Sequence, residues 1–195
     1  MQKSLKWIIP VGIVVILIVM GFSKYNGFVA QDEAVSTSWS NLQTQYQRRA
    51  DLIPNLVNTV KGYAKHESQT LENVVAARAK ATQVTVNADD LTPEKMQEIQ
   101  NAQGELSQAL GKLLAVTEAY PDLKANQNFL ELQAQLEGTE NRITVSRENY
   151  NKAVETYNLS VRSFPSNLFA GIFGFEKKAK FEATAGAQNA PTVSF

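Results

Sequence analysis

Cysteine is absent from the 195 residues, and histidine occurs once. Without cysteine there is no disulfide framework, thiol nucleophile, zinc knuckle or lipidated cysteine. A single histidine cannot supply a multi-histidine metal centre, nor both Glu-x-x-His halves of a ferritin-type di-iron site. An excess of charge is missing as well: 19 Lys and Arg balance 19 Asp and Glu. General nucleic-acid binding relies on a basic surface to displace counterions, so no nucleic-acid partner is expected. The chain contains no glycine-rich phosphate loop, no Gly-x-Ser-x-Gly and no His-Glu-x-x-His. The alternating pattern of a strand is also missing. These absences point to a structural, scaffolding or binding protein, without enzymatic activity and without a cofactor.

What is present begins with a membrane segment. From Trp7 to Phe22 no residue is charged, a run of 16 residues. At 1.5 Å per residue it is about 24 Å of helix, short of the 20 residues a spanning helix usually needs. It can span if Lys6 and Lys24 snorkel and Ser23 is included. Trp7 and Tyr25 stand where interfacial aromatics are expected. A cleaved signal peptide shares the basic start and apolar run. An uncleaved anchor is the preferred reading, because no Ala-x-Ala precedes the helix-compatible sequence that follows. The α-amine, Lys3 and Lys6 precede the span, and Asp32 and Glu33 follow it. The positive-inside rule then puts the N-terminus in the cytoplasm and residues 25–195 outside, in the periplasm, while Lys24 counts for the opposite orientation.

The body has helical periodicity throughout. Val35, Trp39, Leu42, Tyr46, Ala50, Ile53, Val57, Val60 and Ala64, then Leu71, Val75 and Ala79, recur at steps of three and four. Pro54 predicts a kink near Leu52 and Ile53. Thr92-Pro93-Glu94 is a helix start, with an N-cap, a proline at the first helical position and an acid at the positive helix end. A second stripe runs through Met96, Ile99, Gln103, Leu106, Leu110, Leu113, Thr117 and Tyr120, and ends at Pro121. A third runs through Phe129, Leu132, Leu136, Thr139, Ile143, Ser146, Tyr150, Val154, Tyr157 and Val161. The predicted fold is all-α: a transmembrane helix, then an antiparallel bundle of three long helices, or four segments if the first divides. Gly104 and Gly111 inside the second helix suggest close helix approach.

Five of the nine Phe lie between residues 164 and 181, interrupted by two Gly and followed by Lys177, Lys178 and Lys180. Phe169, Phe173 and Phe175 are its candidate interaction residues. The segment is too short and too charged to span. It can fold back into a groove of the bundle, lie at a membrane surface or meet a partner protein. With three helices the segment starts at the far end from the span. Contact with its own membrane would need the first helix to fold into two antiparallel halves, and no loop signal stands in 52–70. The boundaries read from the sequence are 1–24 for the anchor, 25–162 for the bundle, 163–182 for the Phe-rich segment and 183–195 for a disordered tail.

The densest polar cluster is Arg48-Arg49-Ala50-Asp51, which Glu140 and Arg147 can meet if the first and last helices pack together. An ion pair of Arg49 or Arg48 with Glu140 would set register more than add stability. The alternative is an anionic-ligand or sensor site built from Arg48, Arg49, Asp51, Glu140 and His66. His66-Glu67 has no nucleophile or second ligand at fixed spacing.

These motifs resemble the LemA family of bacterial proteins. The resemblance rests on Gln47-Arg-Arg-Ala-Asp-Leu-Ile-Pro-Asn-Leu-Val57, Val60-Lys-Gly-Tyr-Ala64 with His66-Glu67, and Tyr120-Pro-Asp-Leu-Lys-Ala125. It continues through Phe129-Leu-Glu-Leu-Gln133, Thr139-Glu140, Arg147, Tyr150-Asn151, Tyr157-Asn158 and Phe164-Pro165. It implies a single N-terminal span, a helical bundle and no established enzymatic activity. Magnetosome membrane proteins of the MamQ type look related, which implies roles in membrane organisation or shaping. Neighbouring genes in the family imply a TPM-domain membrane protein as a partner. The expected function is a membrane-anchored scaffold that forms a homo-oligomer.

Overall fold

The computed structural model describes residues 2–84 and 86–182, with side chains from Ile9 onward. The tail expected to be disordered, 183–195, lies outside the described residues. Among those described, every regular element is helical: α1 (Gln2–Tyr63), α2 (Ser68–Gln83), a 3₁₀ turn at Ala88–Asp90, α3 (Pro93–Thr117), a single turn α4 (Pro121–Lys124), α5 (Gln127–Arg162) and α6 (Ser166–Phe173). Thr92 caps α3 by accepting from the Lys95 N–H, and Asn126 caps α5 by accepting from the Phe129 N–H. Each cap satisfies a donor that the first turn leaves free.

α1 is one helix of 62 residues with Pro54 inside it, about 93 Å at 1.5 Å per residue. Its N-terminal stretch is long and apolar enough to cross a membrane by length and composition. The first stripe, from Val35 to Ala79, is not one helix, however: α1 ends at Tyr63 and α2 starts at Ser68. Ala64, wholly buried, closes the last turn of α1 by bonding Val60 O at 2.8 Å, and Glu67 N–H turns back onto Ala64 O at 3.2 Å. α2 then returns along α1: Arg78 Nε reaches Ala50 O at 2.7 Å, and Trp39 Nε1 reaches Val86 O at 2.9 Å. The four-segment bundle therefore holds. The reversal resets the helical phase, so Val74 is buried and Val75 is exposed.

Four antiparallel segments bring the end of α5 back to the span, which corrects the inference that the Phe-rich segment starts at the far end. α6 packs on α1 at the last turn of the uncharged run. A Cβ on Gly21 would lie 3.5 Å from the Phe169 ring. Tyr25 meets the Phe173 ring at 5.1 Å, and Phe28 meets Phe175 at 5.2 Å. Close approach is thus a property of Gly21. Nothing lies within 4 Å of a Cβ built on Gly104 or Gly111, so the close-approach expectation for those two glycines fails.

The core divides into two apolar clusters. The one nearer the span joins Phe28, Trp39 and Leu42 to Ile99, Ile143 and Tyr157. The distal one joins Ile53, Leu56 and Val60 to Val74, Leu113 and Phe129. Between them, on α1, α3 and α5 alike, lies a polar layer.

Candidate functional site

Arg49 forms that layer. It lies between Tyr46 and Ile53 on α1 and is only 1% exposed. A guanidinium taken out of water needs partners for its donors; two neighbouring helices supply them to both terminal nitrogens, while the buried Nε has none. Nη1 donates to Ser107 Oγ on α3 at 2.9 Å and to Glu140 Oε1 on α5 at 2.5 Å. Nη2 donates to Gln103 Oε1 on α3. Gln103 Nε2 in turn donates to Ala81 O on α2 at 3.3 Å. One arginine and one glutamine therefore link all four segments at one level.

Arg49, not Arg48, pairs with Glu140. Arg48 is exposed, and Asp51 is exposed and accepts from Gln47 Nε2 at 2.7 Å. Neither reaches the layer. Arg147 lies about two turns beyond Glu140 on α5: its Nε donates to Tyr46 Oη at 3.0 Å, and its guanidinium lies over the Tyr46 ring. Burial pushes the Tyr46 hydroxyl above its ordinary value, and the nearby Arg147 opposes that. His66 is exposed in the turn after α1, and Glu67 beside it accepts from Tyr120 Oη at 3.1 Å. The structure brings Arg49, Glu140 and Arg147 together and leaves Arg48, Asp51 and His66 outside. Among the described residues no cluster of three or more His, Asp or Glu is placed to hold a metal ion.

The Phe-rich segment folds back onto the bundle, as one reading of the sequence had it, with Phe175 and Phe181 packed on Phe28 and Trp39; sequence reasoning missed the residues that hold the strap after α6. Residues 174–182 run along α5 without helix. Gly174 opens the strap with φ 76°, in the left-handed region that favours glycine. Asn158 Oδ1 accepts from Lys178 N–H at 2.8 Å, while its Nδ2 donates to Lys178 O at 2.9 Å. Asn151 holds Phe181 the same way, at 2.8 and 3.0 Å. Tyr150 Oη donates to Ala179 O at 3.0 Å. The spacing explains the fit: seven helical residues rise about 10 Å, and three extended residues cover about the same distance. The signal in the sequence was the repeated Tyr-Asn at 150–151 and 157–158.

Phe181 anchors the strap. Its ring stacks on Trp39, meets Tyr150 edge-on and lies under the Arg147 guanidinium. Lys178 pairs with Asp32 at 2.6 Å. Beside the strap lies an open groove of about 1080 Å³, lined in part by Asp32, Met96, Glu155 and Lys178. Lys178 pairs there with Asp32 and Lys180 with Glu155 at 3.3 Å, and Arg162, Glu176, Lys177 and Glu182 also line the groove. Burial pushes the Tyr150 hydroxyl up to about 12. Burial first, then Asp32, Glu176 and Asp89, pushes Tyr157 up to about 12.

A sequence model of the LemA family matches residues 38–195. Magnetosome protein MamQ 2 of Paramagnetospirillum magneticum is 28% identical over 204 residues, covering 96% of this chain and 75% of its own length. Magnetosome protein MamQ of Magnetospirillum gryphiswaldense is 26% identical over 181 residues, 84% of this chain and 66% of its own. Protein LemA of Metamycoplasma hominis is 23% identical over 159 residues, 82% of this chain and 69% of its own.

Proposed function

The chain belongs to the LemA family, and from that premise we propose that it is a membrane-anchored helical scaffold without catalytic activity, which self-associates and organises the membrane that holds it. The observation that carries this reading is the continuity of α1. The apolar segment and the central wall of the bundle are one helix of 62 residues. An anchor joined to its domain without a linker transmits position and orientation directly. On the lysine distribution, residues 25–195 lie outside the cytoplasm.

The polar layer supports a structural role over a ligand site. Both terminal nitrogens of Arg49 are engaged by protein side chains. Buried ion pairs are best attested as devices that specify register, and this one divides two apolar clusters.

Self-association draws support from the outer face of α5. Leu130, Val145 and Leu159 are exposed there. At about 100° per residue they fall within about 60° of one another on the helix, so they share one exposed face, with Asn141, Glu148 and Lys152 between them. The absence of cysteine makes the test direct. Val145→Cys and Leu159→Cys, oxidised in isolated membranes, should give disulfide-linked dimers, whereas exposed Arg48→Cys should not. No dimer from either of these positions would contradict this interface.

A further inference from the structure

We propose that α6 lies inside the bilayer, in the leaflet at the C-terminal end of the span, with Phe164, Leu168 and Ile172 in the acyl chains. This rests on the reading of the N-terminal segment as a membrane anchor. It adds a second, non-spanning attachment whose ligand is the hydrocarbon of one leaflet. The leaflet is the one from which the bundle emerges, whichever side that is.

Four observations carry it. The first is level. Phe169 and Phe173 pack on Gly21, one residue before the uncharged run ends at Phe22. A bilayer that holds α1 up to Phe22 must also accommodate the helix seated on Gly21. The second is composition. Residues 163–175 include no charge, a stretch of 13 residues.

The third is the face. Ser166 and Ala170 are buried, whereas Phe164, Leu168 and Ile172 are 81%, 57% and 75% exposed. A step of four places Leu168 and Ile172 on one side of the helix, and Phe164 stands in the turn before it. The span that α6 packs beside also exposes apolar side chains, Phe22 at 69% among them. In water such a patch is unfavourable; in acyl chains it is matched.

The fourth is thickness. The uncharged run of α1 alone is too short for a hydrocarbon core of about 30 Å. Exposed apolar or aromatic side chains recur on α1 from Ile9 through Phe22 and Tyr25 to Val29, about 30 Å of helix rise, with Ser23, Lys24 and Asn26 among them, and α6 packs beside the later part of that stretch. Lys24, Arg162 and Lys177 bracket the segment, with Glu176 as the one acid among them. Long basic side chains can reach anionic headgroups from this depth.

The test uses the full chain, which has no cysteine to remove. Single nitroxide labels are placed at Leu168→Cys and Ile172→Cys, and at Ile16→Cys, Phe22→Cys and Arg142→Cys as references. The protein is reconstituted in vesicles of phosphatidylethanolamine and phosphatidylglycerol. Collisions with oxygen, which concentrates in hydrocarbon, are compared with collisions with a polar nickel chelate. Labels at 168 and 172 should report a depth within about 5 Å, one helical turn, of that at 22, with 142 in water. Lipid exposure at 16 but nickel access at 168 and 172 would overturn the inference and leave the anchor standing. Protection of 168 and 172 from both reagents would overturn it in favour of a protein contact. Nickel access at 16 would remove the anchor itself, and the inference with it.

Discussion

Asn158 holds Lys178 by both of its backbone groups, accepting from the N–H at 2.8 Å and donating to the carbonyl at 2.9 Å. A side-chain amide that pairs with an extended backbone in both directions replaces the partner strand the strap lacks. The strap's buried peptide groups are satisfied in this way.

Asn158→Leu should therefore release the strap. It leaves two backbone groups unpaired, at about 1 kcal/mol each. The expected outcome is faster trypsin cleavage at Lys177, Lys178 and Lys180, with the helical signal of the bundle unchanged. Asn151→Leu should act in the same direction at Phe181. Cleavage rates equal to those of the parent would show that Phe181 and the Lys178 ion pair hold the strap unaided.

The polar layer predicts a graded series. Arg49→Met leaves Gln103 Oε1 and Glu140 without their donor and should cost about 3 kcal/mol. Glu140→Gln should cost no more than about 1 kcal/mol, because the Glu140 side chain is 42% exposed and water replaces part of the lost pairing. Arg48→Ala should lie within about 0.5 kcal/mol of the parent. Thermal unfolding in detergent, followed by circular dichroism, checks the order. Equal effects at 48 and 49 would contradict the assignment of Arg49 as the connecting residue.

The tyrosines beneath the strap predict an alkaline limit. Tyr150 and Tyr157 are raised from 10.0 to about 12 by burial. Between those values the unfolded chain has lost a proton that the folded chain keeps. The stabilisation is thus complete below pH 10 and falls as pH rises towards 12, by about 1.4 kcal/mol per pH unit for each tyrosine. Tyr150→Phe should unfold more easily at pH 8, having lost its bond to Ala179 O, yet decline less steeply between pH 10 and 12. Melting temperatures of parent and variant across that range make the comparison, and parallel curves would contradict it.

The seat of α6 depends on the absence of a side chain at residue 21. A Cβ there meets the Phe169 ring at 3.5 Å, an ordinary contact, so Gly21→Ala should leave α6 in place. Gly21→Leu has no such room and should displace α6 from α1. A label at Ile172→Cys should then become more mobile, and an unchanged label would contradict the packing described.

Much of this architecture was legible in the chain. The α3 stripe from Met96 to Thr117 and the α5 stripe from Phe129 to Val161 are the buried faces observed, because each helix packs one side on the core and the 3.6-residue period shows it. The turn after Tyr63 was not legible. Ala64-Lys65-His66-Glu67 contains neither Gly nor Pro. Tertiary contacts support the break instead: Tyr120 Oη bonds Glu67, and Asn126 Nδ2 bonds Tyr63 Oη at 2.9 Å. Missing that one turn inverted the parity of the helices and sent the Phe-rich segment to the wrong end. Arg48 and Arg49 could not be told apart either. Neighbouring residues on a helix point about 100° apart, and packing decides which one faces the core.

A scaffold that works by self-association, as proposed, has a mass larger than one chain in a membrane mimic. Light scattering of the detergent-solubilised protein, corrected for bound detergent, should give a multiple of the 21.5 kDa chain mass. The Val145 and Leu159 cross-links should then fall within that assembly. A mass of one chain at every concentration, with no cross-linked product in native membranes, would contradict the scaffold account.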